Sequence, residues 1–243
     1  MTDLPGMDLM DRRAQRLFGN MSTQVGKNIA SRVWTLYQTT NLLYQENSIW
    51  TMWGNKRPDG ISTGPIPHMA VVAAANAVLG QALFKGPQLR AIIIGALVHD
   101  AFKRLEIEWR DPEKAHSFAR DSITALFGET VANYAELSGH TAMPTVLAYP
   151  GRLDIGLTFW VDNVVVGDEI QSVKQKCDYL DRMAANGKYQ YNDEGIAIYG
   201  VPYFTFQRWL ATVIQGQLAT KLNVKPIDSL AQYAAKLVED ILN

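Results

Sequence analysis

The stretch AIIIGALVHD, residues 91–100, decides the fold of this chain. Residues 91–98 carry no polar side chain, and a helix that is apolar on every face is buried on every face. The segment therefore predicts a helix at the centre of the core, with His99 and Asp100 at its end. Burying a carboxylate is costly unless it pairs with a charge or coordinates a metal, so Asp100 requires a partner.

A second segment, LDIGLTFWVDNVVV at residues 153–166, repeats this pattern. Asp162 is its only charge between Leu157 and Val166, and the carboxylate is expected to lie among apolar side chains. Two buried aspartates indicate a shared cation. The alternative for both is a buried salt bridge to a nearby arginine or lysine.

Helical patterning continues along most of the chain. Apolar residues recur at intervals of three and four, and glycine and proline cluster between these segments. The pattern predicts an all-α fold without a convincing alternating strand. Helices are predicted at residues 8–18, 27–52, 68–83, 87–103, 112–127, 129–137, 153–166, 169–186, 203–222 and 227–242. Loops are predicted at residues 54–67, 140–152 and 187–202, the last with the pattern of a short hairpin.

The composition limits the classes of function. The chain has 243 residues, of which 47% are hydrophobic and 19% charged, and its net charge is -1. This is typical of a folded globular protein, and the balanced charge gives no overall field that would attract nucleic acid or an anionic membrane. A chain of this length can form a core without help from a metal, so a metal site would serve chemistry.

The expected location follows from the N-terminus and the cysteine content. Residues 1–20 lack the apolar run of a signal peptide. The single cysteine, Cys177, excludes an intrachain disulfide and fits a reducing compartment. The most apolar stretches, 69–83 and 91–98, fall short of the ~20 residues that span a bilayer. We therefore expect a cytoplasmic protein.

The chain contains four histidines, and their order is informative. His68 precedes the His99-Asp100 pair, and Asp162 follows on a later predicted helix. This order, with the pair closing an apolar helix, resembles the HD-domain superfamily, which is named for that doublet. The resemblance covers residues 67–180 and implies that these four side chains bind one divalent metal.

A binuclear subset of that superfamily has two further histidines between the doublet and the last aspartate. His116 and His140 occupy this interval, His140 within the stretch SGHT at residues 138–141. The resemblance implies that they hold a second metal, to which Asp100 forms the bridge. Imidazole and carboxylate ligands suit iron, manganese, cobalt or zinc. Taken alone, His116 would be an ordinary helix residue and His140 a contact to terminal carbonyls.

The resemblance also implies an activity. Metal-dependent phosphohydrolases of this superfamily cleave phosphoesters or phosphoanhydrides with a hydroxide shared by two metals. Asp100 and Lys103 would be the catalytic residues, and Lys103, in HDAFK, matches a lysine that lies near the substrate phosphate. Further substrate contacts are predicted at Arg104, Lys56 and Arg57. A cation at a helix end or in a loop is also common without any function.

The resemblance divides the chain into a helical extension with a loop at residues 1–66, an HD core at residues 67–186, and a C-terminal loop with helices that pack on the core at residues 187–243. The expected partner is a small phosphorylated metabolite, nucleotides included. Neither the identity of the substrate nor the oligomeric state, monomer or homo-oligomer, follows from the sequence.

Two alternatives stay open. An HD protein with the same six ligands can instead hold a mixed-valent di-iron pair that activates oxygen and cleaves a carbon-carbon or carbon-phosphorus bond. The third interpretation is a non-catalytic HD module that binds a nucleotide or a protein partner. The complete ligand set argues against the third, because such a module would be free to lose ligands.

Overall fold

The computed structural model describes residues 7, 10, 12–40, 42, 64–109, 111–138, 140–187 and 192–242, without the side chains of residues 106, 107, 112 and 140. Helices dominate these residues, which confirms the all-α prediction. Among the helices of these ranges, none is both long and apolar enough to cross a bilayer.

The elements are numbered in chain order. The first are α1 (Arg12–Val25), α2 (Lys27–Thr39), α3 (Pro65–Gly80), α4 (Gly86–Val98), α5 (Lys103–Trp109), α6 (Pro112–Phe127) and α7 (Glu129–Ala135). They are followed by a 3₁₀ turn (His140–Ala142), α8 (Met143–Ala148), α9 (Leu153–Asp162), β1 (Val165–Val166), β2 (Glu169–Ile170) and α10 (Val173–Ala185). The last are α11 (Gly195–Tyr199), α12 (Tyr203–Lys221), a 3₁₀ turn (Ile227–Ser229) and α13 (Leu230–Asp240).

The centre of the fold is the pair α3 and α4. Nearly every residue of α3 and all of residues 91–98 are buried, as their largely apolar sequences predict. Helices α1, α9 and α13 pack on α3, and α7 packs on α4. One hydrophobic cluster runs from Met10 to Leu242. The N-terminal and C-terminal helices therefore share a core with the central pair, across both predicted domain boundaries.

Helix α6 has the predicted bounds, 112–127. The side chain of Asp111 accepts a hydrogen bond from the backbone N–H of Lys114 at 3.0 Å, which caps the helix at its N-terminus. Pro112 occupies the first turn, where its missing N–H costs nothing. Gly128, with φ 91°, ends the helix in a conformation that favours glycine.

The two N-terminal helices differ from their predicted bounds. The predicted helix 8–18 continues to Val25, and Gly26, with φ 87°, separates it from α2. The predicted helix 27–52 is wrong at its end, because α2 stops at Thr39. Residues 43–52 lie outside the described part of the chain.

The predicted helix 87–103 is also wrong at its end. Helix α4 stops at Val98, residues 99–102 form a turn, and Lys103 begins α5 rather than closing α4. Side chains take over two of the terminal carbonyls of α4. The Nδ1 atom of His99 donates to the Ala96 carbonyl at 2.8 Å, and the Tyr37 hydroxyl donates to the Leu97 carbonyl. His99 and Asp100 therefore lie in the turn after α4 rather than within the helix.

The predicted helix 153–166 is wrong at its end as well. Helix α9 stops at Asp162, and β1 and β2 form an antiparallel hairpin in which Val166 pairs with Glu169. Gly167 and Asp168 make the two-residue turn, and the φ of 59° at Gly167 explains the glycine. With only two residues in each strand, this hairpin is too short to show an alternating pattern, and the fold remains all-α.

Three other predicted boundaries are corrected. The predicted loops 140–152 and 187–202 contain α8 and α11, so they are not extended connections. Helix α10 starts at Val173 rather than at residue 169. Its start is fixed by a capping box, in which Ser172 and Gln175 exchange side-chain and backbone hydrogen bonds.

Gly95 allows α4 and α7 to approach closely, and this contact yields a stability prediction. A Cβ atom at position 95 would lie 2.7 Å from the Cβ of Tyr134 and 3.0 Å from the backbone nitrogen of Ala135. Because a backbone cannot move aside cheaply, we expect Gly95→Ala to lower the free energy of unfolding by about 1–3 kcal/mol. Urea denaturation would measure this loss.

The matched control is Gly19→Ala in α1, where an added Cβ would meet no atom within 4 Å. Alanine there is expected to stabilise the helix by about 0.5–1 kcal/mol, because it reduces the freedom of the unfolded chain. Equal effects at the two positions would contradict the close packing of α4 on α7.

Candidate metal centre

Three helix ends bring the predicted ligands together. His68 lies in the first turn of α3, His99 and Asp100 follow the last turn of α4, and Asp162 is the last residue of α9. Helix α3 packs on both α4 and α9, so these ends share one region. Two of the three ends are C-termini, where the helix dipole gives a negative potential that favours a cation.

The distances between the ligand atoms suit a single metal ion. The Nε2 atoms of His68 and His99 lie 3.1 and 3.6 Å from the Oδ1 atom of Asp162. The Nε2 atom of His99 lies 3.7 Å from Oδ2 of Asp100, and the ligand atoms of His68, His99 and Asp100 all lie within 4.8 Å of one another. Donors that surround one ion at about 2.0–2.2 Å are spaced by roughly 3.0–3.5 Å.

The hydrogen bonds of the two imidazoles fix which nitrogen faces the site. The Nδ1 atom of His68 contacts the Gly167 carbonyl at 2.9 Å, and that of His99 contacts the Ala96 carbonyl at 2.8 Å. A carbonyl can only accept, so each Nδ1 carries a hydrogen, and in a neutral imidazole the Nε2 that faces the site then has the lone pair that a metal requires. A ligating histidine is commonly held by a carbonyl in this way.

One of these nitrogens has no hydrogen-bond partner. The Nε2 atom of His99 is buried and unpaired among the described residues, and only 4% of the His99 side chain is exposed. A buried polar atom without a partner costs free energy unless something binds it. Its nearest polar neighbours, the carboxylates of Asp100 and Asp162, are acceptors too, so a cation is the group that fits.

Asp162 is held in its charged form. Burial alone would raise the pKa of its carboxyl, but the contact with His68 and the positive charge of Lys176 hold that pKa well below its usual range. Lys176 donates to the Val165 carbonyl at 2.7 Å, which keeps its ammonium beside the end of α9. The site therefore presents an anionic oxygen toward the two Nε2 atoms.

The cationic residues near the doublet differ in their positions. The Nζ atom of Lys103 lies 3.9 Å from Oδ1 of Asp100, and both side chains are about 30% exposed, at 30% and 28%. Arg104 pairs with Glu108 one turn along α5. Lys103 is therefore at the open edge of the site, whereas Arg104 has a partner in its own helix. The predicted contacts Lys56 and Arg57 lie outside the described residues.

Of the predicted ligands of the second metal, only the side chain of His116 is described. His116 is an exposed residue of α6, and it is not among the side chains whose ligand atoms lie within 4.8 Å of one another in the described chain. His140 begins the short 3₁₀ turn after α7, and its side chain lies outside the described part. The second metal stays a prediction.

Sequence reasoning missed two groups that shape the site, the Gly167 carbonyl and the Lys176 ammonium. The Gly167-Asp168 pair after a run of valines is a known turn signal, and it could have identified the hairpin. Nothing in the sequence marks Lys176, which is one of two lysines on an amphipathic helix. Asn163 and Gln207, both buried, bond to each other behind the end of α9.

Comparison with known proteins identifies no relative. No protein-family model matches the chain, and no curated protein and no solved structure matches it significantly. The resemblance to the HD superfamily therefore rests on the order of the histidines and aspartates alone.

Proposed function

We propose that this protein is a metal-dependent phosphohydrolase of the HD type. The observation that carries the proposal is the convergence of two imidazole Nε2 atoms on one ionised carboxylate, with the Nε2 atom of His99 buried and without a hydrogen-bond partner among the described residues. A cation between these three atoms would pair with the carboxylate and with both imidazole lone pairs, and two nitrogens with carboxylate oxygens suit a transition metal or zinc.

In this proposal His68, His99, Asp100 and Asp162 hold the first ion. Asp100 is the most exposed of these carboxylates, and it would bridge to a second ion held by His116 and His140, as the family resemblance implies. The bound ions would supply a water nucleophile at neutral pH and neutralise the charge that develops on phosphorus.

Lys103 favours phosphate chemistry over the alternatives. Its ammonium lies 3.9 Å from Asp100 at the open edge of the site, where a phosphate oxygen could replace the carboxylate as its partner. An ammonium in that position binds an anion as a point charge. The net charge of the chain is -1, so the attraction for an anionic substrate must come from such local groups.

The test is a metal analysis of the purified protein followed by a screen of phosphorylated metabolites with manganese, cobalt, zinc and iron. We expect bound metal, and phosphate release that depends on it. His99→Ala and Asp100→Ala should abolish the phosphate release and strongly weaken binding of the first ion, whereas Arg104→Gln should retain metal binding, because Arg104 pairs with Glu108 away from the ligands.

Other results would point to the other classes of protein. Uptake of oxygen by an iron-loaded sample without phosphate release would favour the di-iron oxygenase. A protein that binds no metal, and that gains neither stability nor activity from added metal, would contradict the proposal and favour the binding module.

A further inference from the structure

Arg13 lies at the start of α1 and contacts the hairpin behind His68. Its Nη1 atom donates to the Asp168 carbonyl at 2.8 Å. Its Nη2 and Nε atoms both donate to Oε1 of Glu239 on α13, at 2.6 and 3.2 Å. The side chain is only 29% exposed. One guanidinium thus joins the first and last helices to the turn between β1 and β2.

The two residues of that turn offer their carbonyls to different partners. The Gly167 carbonyl accepts from Nδ1 of His68 at 2.9 Å, and the Asp168 carbonyl accepts from Arg13. The Asp168 side chain is 5% exposed and also lies 3.8 Å from Nη1 of Arg13. The carbonyl that orients His68 is therefore one peptide unit away from the carbonyl that the arginine holds.

The hairpin needs such external contacts to keep its place. Each of its strands has two residues, and an isolated two-stranded hairpin is at best marginally stable in water. Lys176 holds the start of the hairpin through the Val165 carbonyl at 2.7 Å. Arg13 holds the turn itself, where Gly167 lies.

We propose that Arg13 is a positioning residue for the metal ligand His68, acting through the Gly167-Asp168 turn. This role rests on the proposed metal site, and it assigns a part in that site to the N-terminal helix, for which the sequence indicates none. Glu239 contributes to this role as well, because its carboxylate on α13 orients the Arg13 guanidinium.

Arginine suits this task better than lysine. The planar guanidinium donates in fixed directions, so contact with Glu239 aims Nη1 at the Asp168 carbonyl. An ammonium on a flexible stem has no such fixed geometry. Arg13→Lys is therefore expected to be defective too, although it retains the charge.

The test compares Arg13→Gln with Arg16→Gln, which removes the same charge from an exposed position of the same helix. The first readout is the long-range ¹H–¹⁵N NMR spectrum of the metal-free, full-length protein, which reports the hydrogen on each imidazole nitrogen. His68→Gln would assign the His68 signals among the four histidines. The second readout is the affinity for manganese, measured by calorimetry.

In the wild type and in Arg16→Gln, Nδ1 of His68 should carry the hydrogen. In Arg13→Gln we expect a mixture of the two tautomers and about 10-fold weaker manganese binding, the lower end of the loss when a partner of a ligand is removed. If Arg13→Gln does not fold, Glu239→Ala provides the test. Glu239 is 54% exposed, and its loss leaves Arg13 present but without the contact that orients the guanidinium. Glu239→Ala should shift both readouts in the same direction as Arg13→Gln, but by a smaller amount.

Unchanged His68 signals in Arg13→Gln, or in Glu239→Ala if it is the variant that folds, would overturn this role whatever the manganese affinity. A wild type that binds no manganese or other divalent metal would instead overturn the proposed function. The NMR comparison would still measure the effect of Arg13 on His68, because it needs no metal.

Discussion

The variant His99→Ala is expected to bind a divalent metal at least about 100-fold more weakly than the wild type. Removing a residue that only supports a ligand can already weaken metal binding by about 100-fold, so loss of a ligand itself should weaken it at least as much. In the wild type, the Nε2 atom of His99 is buried, has no hydrogen-bond partner in the described part of the chain, and lies 3.6 Å from Asp162 and 3.7 Å from Asp100. Calorimetric titration with manganese or cobalt would measure the loss.

His116→Ala is the control for this experiment. As a predicted ligand of the second metal alone, His116 should leave the affinity of the first site unchanged while the number of bound ions falls from two to one. Circular dichroism would show that both variants are folded. Wild-type affinity in a folded His99→Ala protein would mean that this imidazole is not a ligand.

Much of the fold could be predicted because the sequences of α3, α4 and α6 themselves indicate where these helices are buried or where they begin and end. Helices α3 and α4 have almost no polar residues, and such segments are buried wherever they occur. Helix α6 is bounded by Asp111 with Pro112 at one end and Gly128 at the other, which are strong start and stop signals.

The break after Val98 could not be predicted from the local pattern, because one of the contacts at this helix end comes from a residue that is distant in the sequence. The Leu97 carbonyl accepts from Tyr37, which lies 60 positions earlier, and the Ala96 carbonyl accepts from His99. The local pattern of residues 87–103 therefore predicts one helix that continues through the doublet. The terminal carbonyls of a helix must find partners, and tertiary contacts supplied them here.

The hairpin was missed for a different reason. A short apolar run does not distinguish a buried helix from a buried strand, and residues 164–166 are all valine. Valine favours strands, and Gly167-Asp168 follows at the position of a turn. Weighting these two signals above the continuity of the apolar run would have ended α9 near Asp162.

The candidate site was predicted in part. The order of His68, His99, Asp100 and Asp162 was enough to select side chains that the structure brings within ligand distance. Their supports were not predictable, because the contact of His68 with Gly167 joins a side chain to a backbone carbonyl 99 positions away. A backbone acceptor leaves no signature in the residue type.

The second large effect is expected from Asp162→Asn, which should remove the stabilisation of the protein by metal. A ligand that binds only the folded state at 100 times its Kd raises the free energy of unfolding by about 2.7 kcal/mol. The wild type should gain this amount from manganese. The variant should lose the part of this gain that the first ion gives, because its neutral amide can donate a hydrogen bond to one Nε2 atom and so take the place of the cation. Urea denaturation with and without manganese would give both values.

Asp154→Asn is the matched control, because Asp154 is another buried carboxylate of α9, 2% exposed. Burial raises the pKa of its carboxyl, but hydrogen bonds from Arg152 and Tyr134 outweigh burial and lower that pKa to about 2. Its ionised form is therefore already satisfied by protein groups. Asp154→Asn should destabilise the fold and keep the full gain from manganese, since Asp154 has no part in the site. An equal gain in Asp162→Asn would show that manganese binds elsewhere on the protein.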